Sequence, residues 1–432
     1  MVDRSVLADD NSGLRTGSQV RPGNLHDPHP APVPLGTYTR DAANGLLTQR
    51  VLGDVKETWT YNGFADVEKY KVWIPQSVHY QEEYTKRDGL GRVTERKVTH
   101  AYLAPDTWTY TYHATRGWLT SASKNGAQVG AWTYDARGNR LSETANGVTT
   151  AATFDAQDKQ LTAGSRTLTY GDDLGRVTAE AGPGGDARAY VWDAGGRLVQ
   201  AQIVVNGTAT QVDYTLDAAG RRVGKKVNGT LVAGWLYDGA LRPTAQLDTS
   251  GKLALRFAYG SLGHSPDAAV RFDTATGAVA GVYWFVHDQV GSVVAVVDTA
   301  TGAVVERSSY GPWGNRTVEV PNAVFSHPFG FAGGLHDADT GLVRFGAREY
   351  DPRIGRWLAR DPIGLRGGGI RLRMRSTRRR AGSTPKAGRP LLPVGASCLH
   401  RQLPRAPPWT PLGNWAKWHL GLGDGVISIG RG

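Results

Sequence analysis

Cysteine is all but missing from this chain: of 432 residues one is Cys, at position 398. No disulfide can form within the chain, and residues 1–365 can hold neither a thiolate zinc site nor a cysteine nucleophile. Long apolar runs are missing too. No window of about eighteen apolar residues occurs, so no segment reads as a membrane-spanning helix. The opening MVDRSVLADDNSG has no apolar stretch and does not read as a signal peptide. Export is therefore expected to depend on a larger parent chain or on dedicated machinery. The usual signatures of metal and cofactor chemistry are absent: no His-x-x-x-His or Cys-x-x-Cys spacing, no phosphate-cradling glycine loop, no Gly-x-Ser-x-Gly elbow. No cofactor or metal is expected.

Acidic side chains are scarce in one place only. Residues 366–432 hold 13 of the 50 Lys+Arg and a single one, Asp424, of the 39 Asp+Glu. That leaves 37 basic and 38 acidic residues for the first 365, so the formal charge of +11 belongs to the tail. A nucleic-acid interface over the body of the chain is excluded on that distribution. The tail's Arg371–Arg380 block permits weak, salt-sensitive phosphate binding without sequence preference.

What the chain has in quantity is glycine (56 residues), Thr, Val, Tyr and Trp, the composition of many short strands joined by turns. Residues 1–36 are polar and rich in Gly, Pro and His, and read as a disordered leader. From Tyr38 a phrase recurs: an aromatic residue, Asp, two residues, Gly, Arg, then Leu or Val. The clearest copies run Tyr134–Leu141, Tyr170–Val177, Trp192–Leu198 and, with Leu in the aromatic place, Leu216–Val223. With Asp135, Asp155, Asp173, Asp193, Asp217 and Asp238 as markers, the intervals are 20, 18, 20, 24 and 21 residues, a repeat array. Asn125-Gly126, Asn146-Gly147, Asn206-Gly207 and Asn228-Gly229 fall between copies. Asn-Gly is the strongest short hairpin signal, because both central residues of a type I′ turn need positive φ. One unit is thus strand, Asn-Gly turn, strand, Asp-x-x-Gly turn. Trp132 and Tyr134 share one strand face and Ala131 and Thr133 the other, so each unit needs neighbours to cover its aromatic side. Spacing alone leaves a sandwich, a propeller, a solenoid or a continuous coiled ribbon open.

The repeated Asp residues read as turn openers whose carboxylates accept backbone N–H groups, rather than as metal ligands. The Arg after each Gly is expected to pair with a neighbouring Asp or to cover an aromatic ring. His287-Asp288 could be half of a catalytic triad, but no nucleophile is placed beside it by sequence.

The densest patterning lies in GFAGGLHDADTGLVRFGAREYDPRIGRWLARDPIGL, residues 330–365. Gly355-Arg356-Trp357-Leu358 followed by Arg360-Asp361-Pro362-Ile363-Gly364-Leu365 resembles the Rhs-repeat-associated core, and the array before it resembles the YD repeat. The resemblance covers about residues 37–365. It implies an all-β fold, a YD-repeat antiparallel β-ribbon coiling into a partial hollow shell, with a disordered N-terminal leader and C-terminal tail. The expected division is 1–36 leader, 37–247 YD repeats, 248–329 pre-core strands, 330–365 core and 366–432 tail. With so few repeats, the shell should be left incomplete, with an open edge. The implied function is the shell of a polymorphic toxin that packages and delivers a C-terminal toxin domain in interbacterial competition. Partners would be that toxin domain and secretion-system or cell-surface components, with the protein secreted or cell-surface associated.

The same resemblance implies a self-cleaving aspartate-type centre. Two carboxylates held close cannot both ionise, so one works as acid while the other activates water. Asp361 matches the family position, Arg360 could orient the peptide, and the second carboxylate would be Asp337 or Asp339. After Leu365 the pattern breaks. Arg371, Arg373 and Arg375 stand where the family has Asn and Tyr, and no second Asp-Pro-x-Gly-Leu follows. The tail reads as a slipped frame, a short basic toxin or a divergent end. Two other functions remain in view: an active self-protease, and a surface carbohydrate-binding repeat protein.

Overall fold

The structure is a computed structural model. It describes residues 36–360 apart from 76, 102, 172–174 and 240, with only the backbone of 77–78. Within the segments read as leader and tail it describes the backbone of strands Val6–Asp9, Arg15–Val20, the start of Val33–Arg40, Trp418–Gly423 and Val426–Arg431. Everything else in those segments, and residues 361–365 of the core with Asp361 among them, lies outside the described residues.

Twenty-eight strands, from Val6–Asp9 to Arg316–Val320, form one sheet in which each strand pairs antiparallel with the next in the chain. The described residues contain no α-helix, only two short 3-10 turns. The all-β ribbon expected from the sequence is what the chain forms. The four Asn-Gly pairs all take the left-handed conformation at both positions, from Asn228 (φ 49°) to Gly229 (φ 82°), as a type I′ hairpin requires.

The Asp turns are as regular. In most, the carboxylate accepts the backbone N–H four residues on: Asn139 to Asp135 (2.8 Å), Arg197 to Asp193 (2.9 Å), Arg221 to Asp217 (2.9 Å). At Arg92, Arg197 and Arg221 the Arg after the Gly pairs with the Asp of its own turn, as in Arg197–Asp193 (2.7 Å). It also reaches the next unit's aromatic: Arg92 lies 4.5 Å from the Tyr112 ring and Arg221 5.5 Å from that of Tyr237. Asp238 keeps only a 3.4 Å contact with Arg242, and Asp173 lies outside the described residues.

The aromatic residue of the phrase carries the link between units. Its strand slips register by one residue just before it, at Thr133/Tyr134, Thr169/Tyr170, Val191/Trp192 and Leu236/Tyr237. Such bulges sharpen the right-handed twist and re-aim a side chain. Here they turn the ring so that it donates to a backbone carbonyl of the preceding unit. Tyr112 reaches Val93 (3.0 Å), Tyr134 Leu119 (2.5 Å), Tyr237 Arg222 (2.9 Å), and Trp192 Nε1 reaches Val177 (2.8 Å). The acceptor stands two residues after the positive-φ turn residue: Gly91, Gly117, Gly220 or Gly175. Phe154 has no hydroxyl and cannot make this link.

Twist accumulated over the ribbon brings its ends face to face. Val55, Val72, Ile74 and Tyr80 pack against Val270, Trp284, Val286 and Val297. Arg50, 1% exposed, crosses this interface beneath the Trp284 ring (4.1 Å) and pairs with Glu57 and Asp267. Tyr38 donates to the same Asp267 (2.7 Å). The core segment makes a separate sheet of four short strands, Leu335–His336, Val343–Phe345, Arg348–Asp351 and Arg356–Trp357. Its Leu342, Ile354 and Leu358 pack on the buried face of the strands between 166 and 216, against Leu168, Leu198 and Val212. The large sheet does not close into a barrel, which leaves the partial shell.

If the aromatic link is structural, Tyr237→Phe should lower stability by about 0.5–1.5 kcal/mol, the worth of one hydrogen bond. Phe154→Tyr, which offers the missing hydroxyl to the carbonyl two residues after Gly138, should raise it by up to about that amount. Urea midpoints of the two variants check this; equal and opposite signs from those expected would remove the aromatic hydroxyl as the link.

Candidate functional site

The candidate site is the contact between the core and the repeat wall. Asp337 opens the turn Asp337–Gly341, built like the turns at Asp273 and Asp298. Gly341 N–H donates to its carbonyl (2.8 Å), and Asp339 N–H to its Oδ1 (3.0 Å). Unlike those two, its carboxylate is buried, 4% exposed, and is engaged by the wall. Lys225 Nζ lies 2.7 Å from Oδ1, the Tyr214 hydroxyl donates to Oδ2 (2.7 Å), and Arg222 stands 3.8 Å from Oδ2. Lys225 also pairs with Asp339, whose side chain is 38% exposed. Burial pushes the Asp337 carboxyl up. The charges of Lys225 and Arg222, with the bonds from Lys225 and Tyr214, outweigh it and hold the group below the usual carboxylate range.

A second charge cluster adjoins the first. Arg222 lies 3.5 Å from the Tyr214 ring centre and pairs with Glu349 (3.1 Å), which also takes Arg344 (2.7 Å). Arg344 donates onward to the Gly220 carbonyl (2.7 Å). Further along the core, Arg353 bridges Asp351 and Glu180 (2.8 Å to Oε2), Arg140 donates to the Ile354 carbonyl (2.8 Å), and Arg356 to that of Asp158 (2.8 Å). Val177 N–H donates to the Leu358 carbonyl (2.8 Å).

Of the residues singled out by sequence, Asp337 and Asp339 meet at Lys225. Arg360 is apart from them, donating to Gln157 Oε1 (3.0 Å) beside Gly175. Asp361 lies outside the described residues, so the distance between it and either aspartate is not described. Lys225, Arg222, Tyr214 and Glu349 were not legible as site residues. The one local sign was Lys225 itself, which shares its strand face with Val223 and Val227. His287 does meet a hydroxyl, Ser265 Oγ at 2.9 Å from Nε2, but both residues are buried, at 6% and 0% exposure. Among the described residues no group of three or more His, Cys, Asp or Glu is arranged to hold a metal ion, and no helix is long and apolar enough to cross a membrane.

Comparison with known proteins gives this arrangement its family. The sequence model of the Teneurin YD-shell family matches residues 37–365. The chain belongs to that family. It is 29% identical over 238 residues to the tRNA nuclease WapA of Bacillus subtilis, covering 54% of this chain and 9% of that protein. It is 26% identical over 324 residues to mouse (Mus musculus) Teneurin-4, covering 74% of this chain and 11% of the relative. A shorter stretch, 156 residues, is 36% identical to the double-stranded DNA deaminase toxin A of Burkholderia cenocepacia, 34% of this chain and 10% of that one. Among solved structures, the Tc holotoxin pore of Photorhabdus luminescens superposes with a TM-score of 0.63 at 19% identity, over 84% of this chain and 19% of that chain. The shared fold is a YD shell, and this chain spans about a tenth of the length of these curated relatives.

The Lys225–Asp337 contact gives a pH-dependent prediction. Asp337 titrates lower folded than unfolded, so its contribution is present at neutral pH and is lost as pH falls below about 4. Lys225→Met leaves a buried carboxylate without its partner, a change that costs about 3–5 kcal/mol in such settings. The loss should be large at pH 7 and shrink at pH 4, where the orphaned group takes up a proton instead. Urea unfolding at the two pH values measures it; an equal loss at both would show that Lys225 acts by packing alone.

Proposed function

We propose that this chain is the wall-and-core part of a β-shell that packages a C-terminal toxin domain and delivers it between competing bacteria. The observation that carries this reading is the placement of the core. Its last described residues run along the buried face of the wall, with Leu358 bonded to Val177. Chain that follows the core therefore starts from the side a shell would enclose. Relatives named as a tRNA nuclease and as a DNA deaminase toxin support toxic cargo as the enclosed domain. The partners are then the toxin domain and, for export to the cell surface or medium, secretion or surface components. The uneven charge supports the same division: a near-neutral body suits a scaffold, and the basic tail occupies the cargo position.

The carboxylate pair of a self-cleaving centre, with Asp361 as one member and without the cut site it would act on, is proposed alongside. One observation favours Asp337 over Asp339 as its partner. Asp337 is buried and kept ionised, as the water-activating member of a carboxylate pair must be.

A reporter domain joined after Leu365 should be cut by trypsin markedly more slowly than the same domain free in solution. Cleavage at the free rate would sink the packaging role. Intact mass of the purified protein addresses the second proposal. Because the second Asp-Pro-x-Gly-Leu is missing, the full-length mass is expected. A discrete fragment that disappears in Asp361→Asn would show instead that cleavage persists at a different sequence.

A further inference from the structure

Three segments of the chain converge where the core leaves the repeat sheet: the loop 259–267, the turn 288–292 and the core entry 329–336. They meet without room to spare. A Cβ on Gly333 would lie 2.6 Å from the His264 ring, one on Gly291 2.4 Å from His264 Nε2, and one on Gly330 2.8 Å from His336 Cβ. The polar contacts are equally close. Ala332 N–H donates to Ser292 Oγ (2.9 Å), and Val293 N–H to the Gly330 carbonyl (3.3 Å). His264 Nε2 sits 3.3 Å from the Val290 carbonyl, and His287 Nε2 2.9 Å from Ser265 Oγ. Ala332 itself is held at φ 49°, a conformation costly for a residue with a Cβ.

We propose that His264, His287 and His336 form an acid-sensitive latch at this junction, which holds residues 329–360 against the wall at neutral pH and releases them on acidification. The geometry allows each ring to be packed only while neutral. His287 is buried beside Arg50, and the carboxylate that acts on it, Asp267, is already bonded to Arg50, Tyr38 and Ser261. His336 faces Arg316, Lys225 and His327, with Asp337 opposite, already bonded to Lys225 and Tyr214. His264 is covered by Gly291 and Gly333 and meets the Val290 carbonyl. His327, next along the chain from the core entry, lies 3.0 Å from Glu306, which Arg316 also binds. A proton added to His287 or His336 puts a cation into a packed site beside other cations, and one added to His264 puts a cation into a space closed by Gly291 and Gly333, where the Val290 carbonyl offsets only part of the burial; opening the junction admits water to these rings.

Titration agrees in direction. Burial lowers His264 to about 4; burial and then the Arg50 charge lower His287 to about 3; burial and then Arg316 lower His336 to about 4. A histidine lower folded than unfolded keeps its full contribution above about 6.5, and stability is lost as pH falls from there. One neighbour works the other way. Asp288 is pushed up to about 7 by burial and then by the Glu82 charge, within a cluster that also holds Arg96, Tyr80, Tyr84, Tyr110 and Tyr310. Its contribution falls as pH rises from about 4 to 7, so it blunts the latch without sharing its sign.

Hydrogen–deuterium exchange on the full chain at pH 7.5 and 5.0, corrected for intrinsic rates, tests this. Protection of 329–360 should fall at pH 5.0, by roughly tenfold for each histidine that takes up a proton, while the strands between 198 and 227 stay protected. Asp288→Asn should enlarge the difference. The triple variant His264→Gln, His287→Gln, His336→Gln should abolish it. Equal protection at both pH values, or an undiminished drop in the triple variant, overturns the proposal. Should that variant fail to fold, the ring-proton resonances of the natural protein decide. The three histidines should titrate together with the loss of core protection, and titration near 6.5 with the core still protected overturns the latch.

Discussion

The structure depends on one hydrogen bond repeated along the chain, from the Tyr or Trp ring that opens each turn to a carbonyl of the unit before it. Each hairpin taken alone is a marginal object, a two-stranded ribbon with one aromatic face unburied. The bulge that precedes the ring, the glycine that sets the turn and the carbonyl two residues later are all arranged for that contact. Trp192 keeps it with an indole N–H. Asp158 keeps the turn without glycine, at φ 63°, and Tyr170 still finds the Gln160 carbonyl (2.9 Å). The chemistry of the link tolerates changes of residue so long as a donor and a positive-φ position remain in register.

Much of this was legible because it is local. Asp135, Asp193 and Asp217 bond to amides four residues on, and Asn-Gly turns are set by two residues, so a single unit contains all the information. The long-range half was not legible. Lys225 meets Asp337 across 112 residues, Arg353 meets Glu180 across 173, and Arg50 meets Asp267 across 217. A buried Arg or Lys in a repeat looks in sequence like any other charged residue on a solvated face. Only its strand neighbours hint that it points inward. The turn arginines were legible as well: a neighbouring Asp or an aromatic ring was expected as partner, and Arg221 has both, the Asp217 carboxylate of its own turn and the Tyr237 ring.

The core is attached to the wall in a different manner from the way the wall is attached to itself. Within the ribbon, strand pairs satisfy the backbone. Between core and wall, guanidinium groups reach main-chain oxygens: Arg344 to Gly220, Arg140 to Ile354, Arg356 to Asp158, Arg188 to Thr340. Planar donors with several N–H groups suit this work, since each can satisfy a carbonyl that a turn leaves unpaired while its stem covers apolar surface. Buried carboxylates then balance the charge that these arginines bring in. Such an interface is specific in register and sensitive to the loss of either partner, more so than an apolar one of the same size.

The pairing order has a consequence for how the molecule is made. Since every strand's first partner is the strand just synthesised before it, the ribbon can be laid down on the ribosome as the chain emerges, each hairpin templating the next without waiting for distant sequence. The contacts that do span the molecule, at Arg50 and at the core, involve partners completed late. Assembly is then a zipper followed by a clasp. The core is made after the wall it packs on, so the surface that receives Leu342, Ile354 and Leu358 is already in place when they arrive.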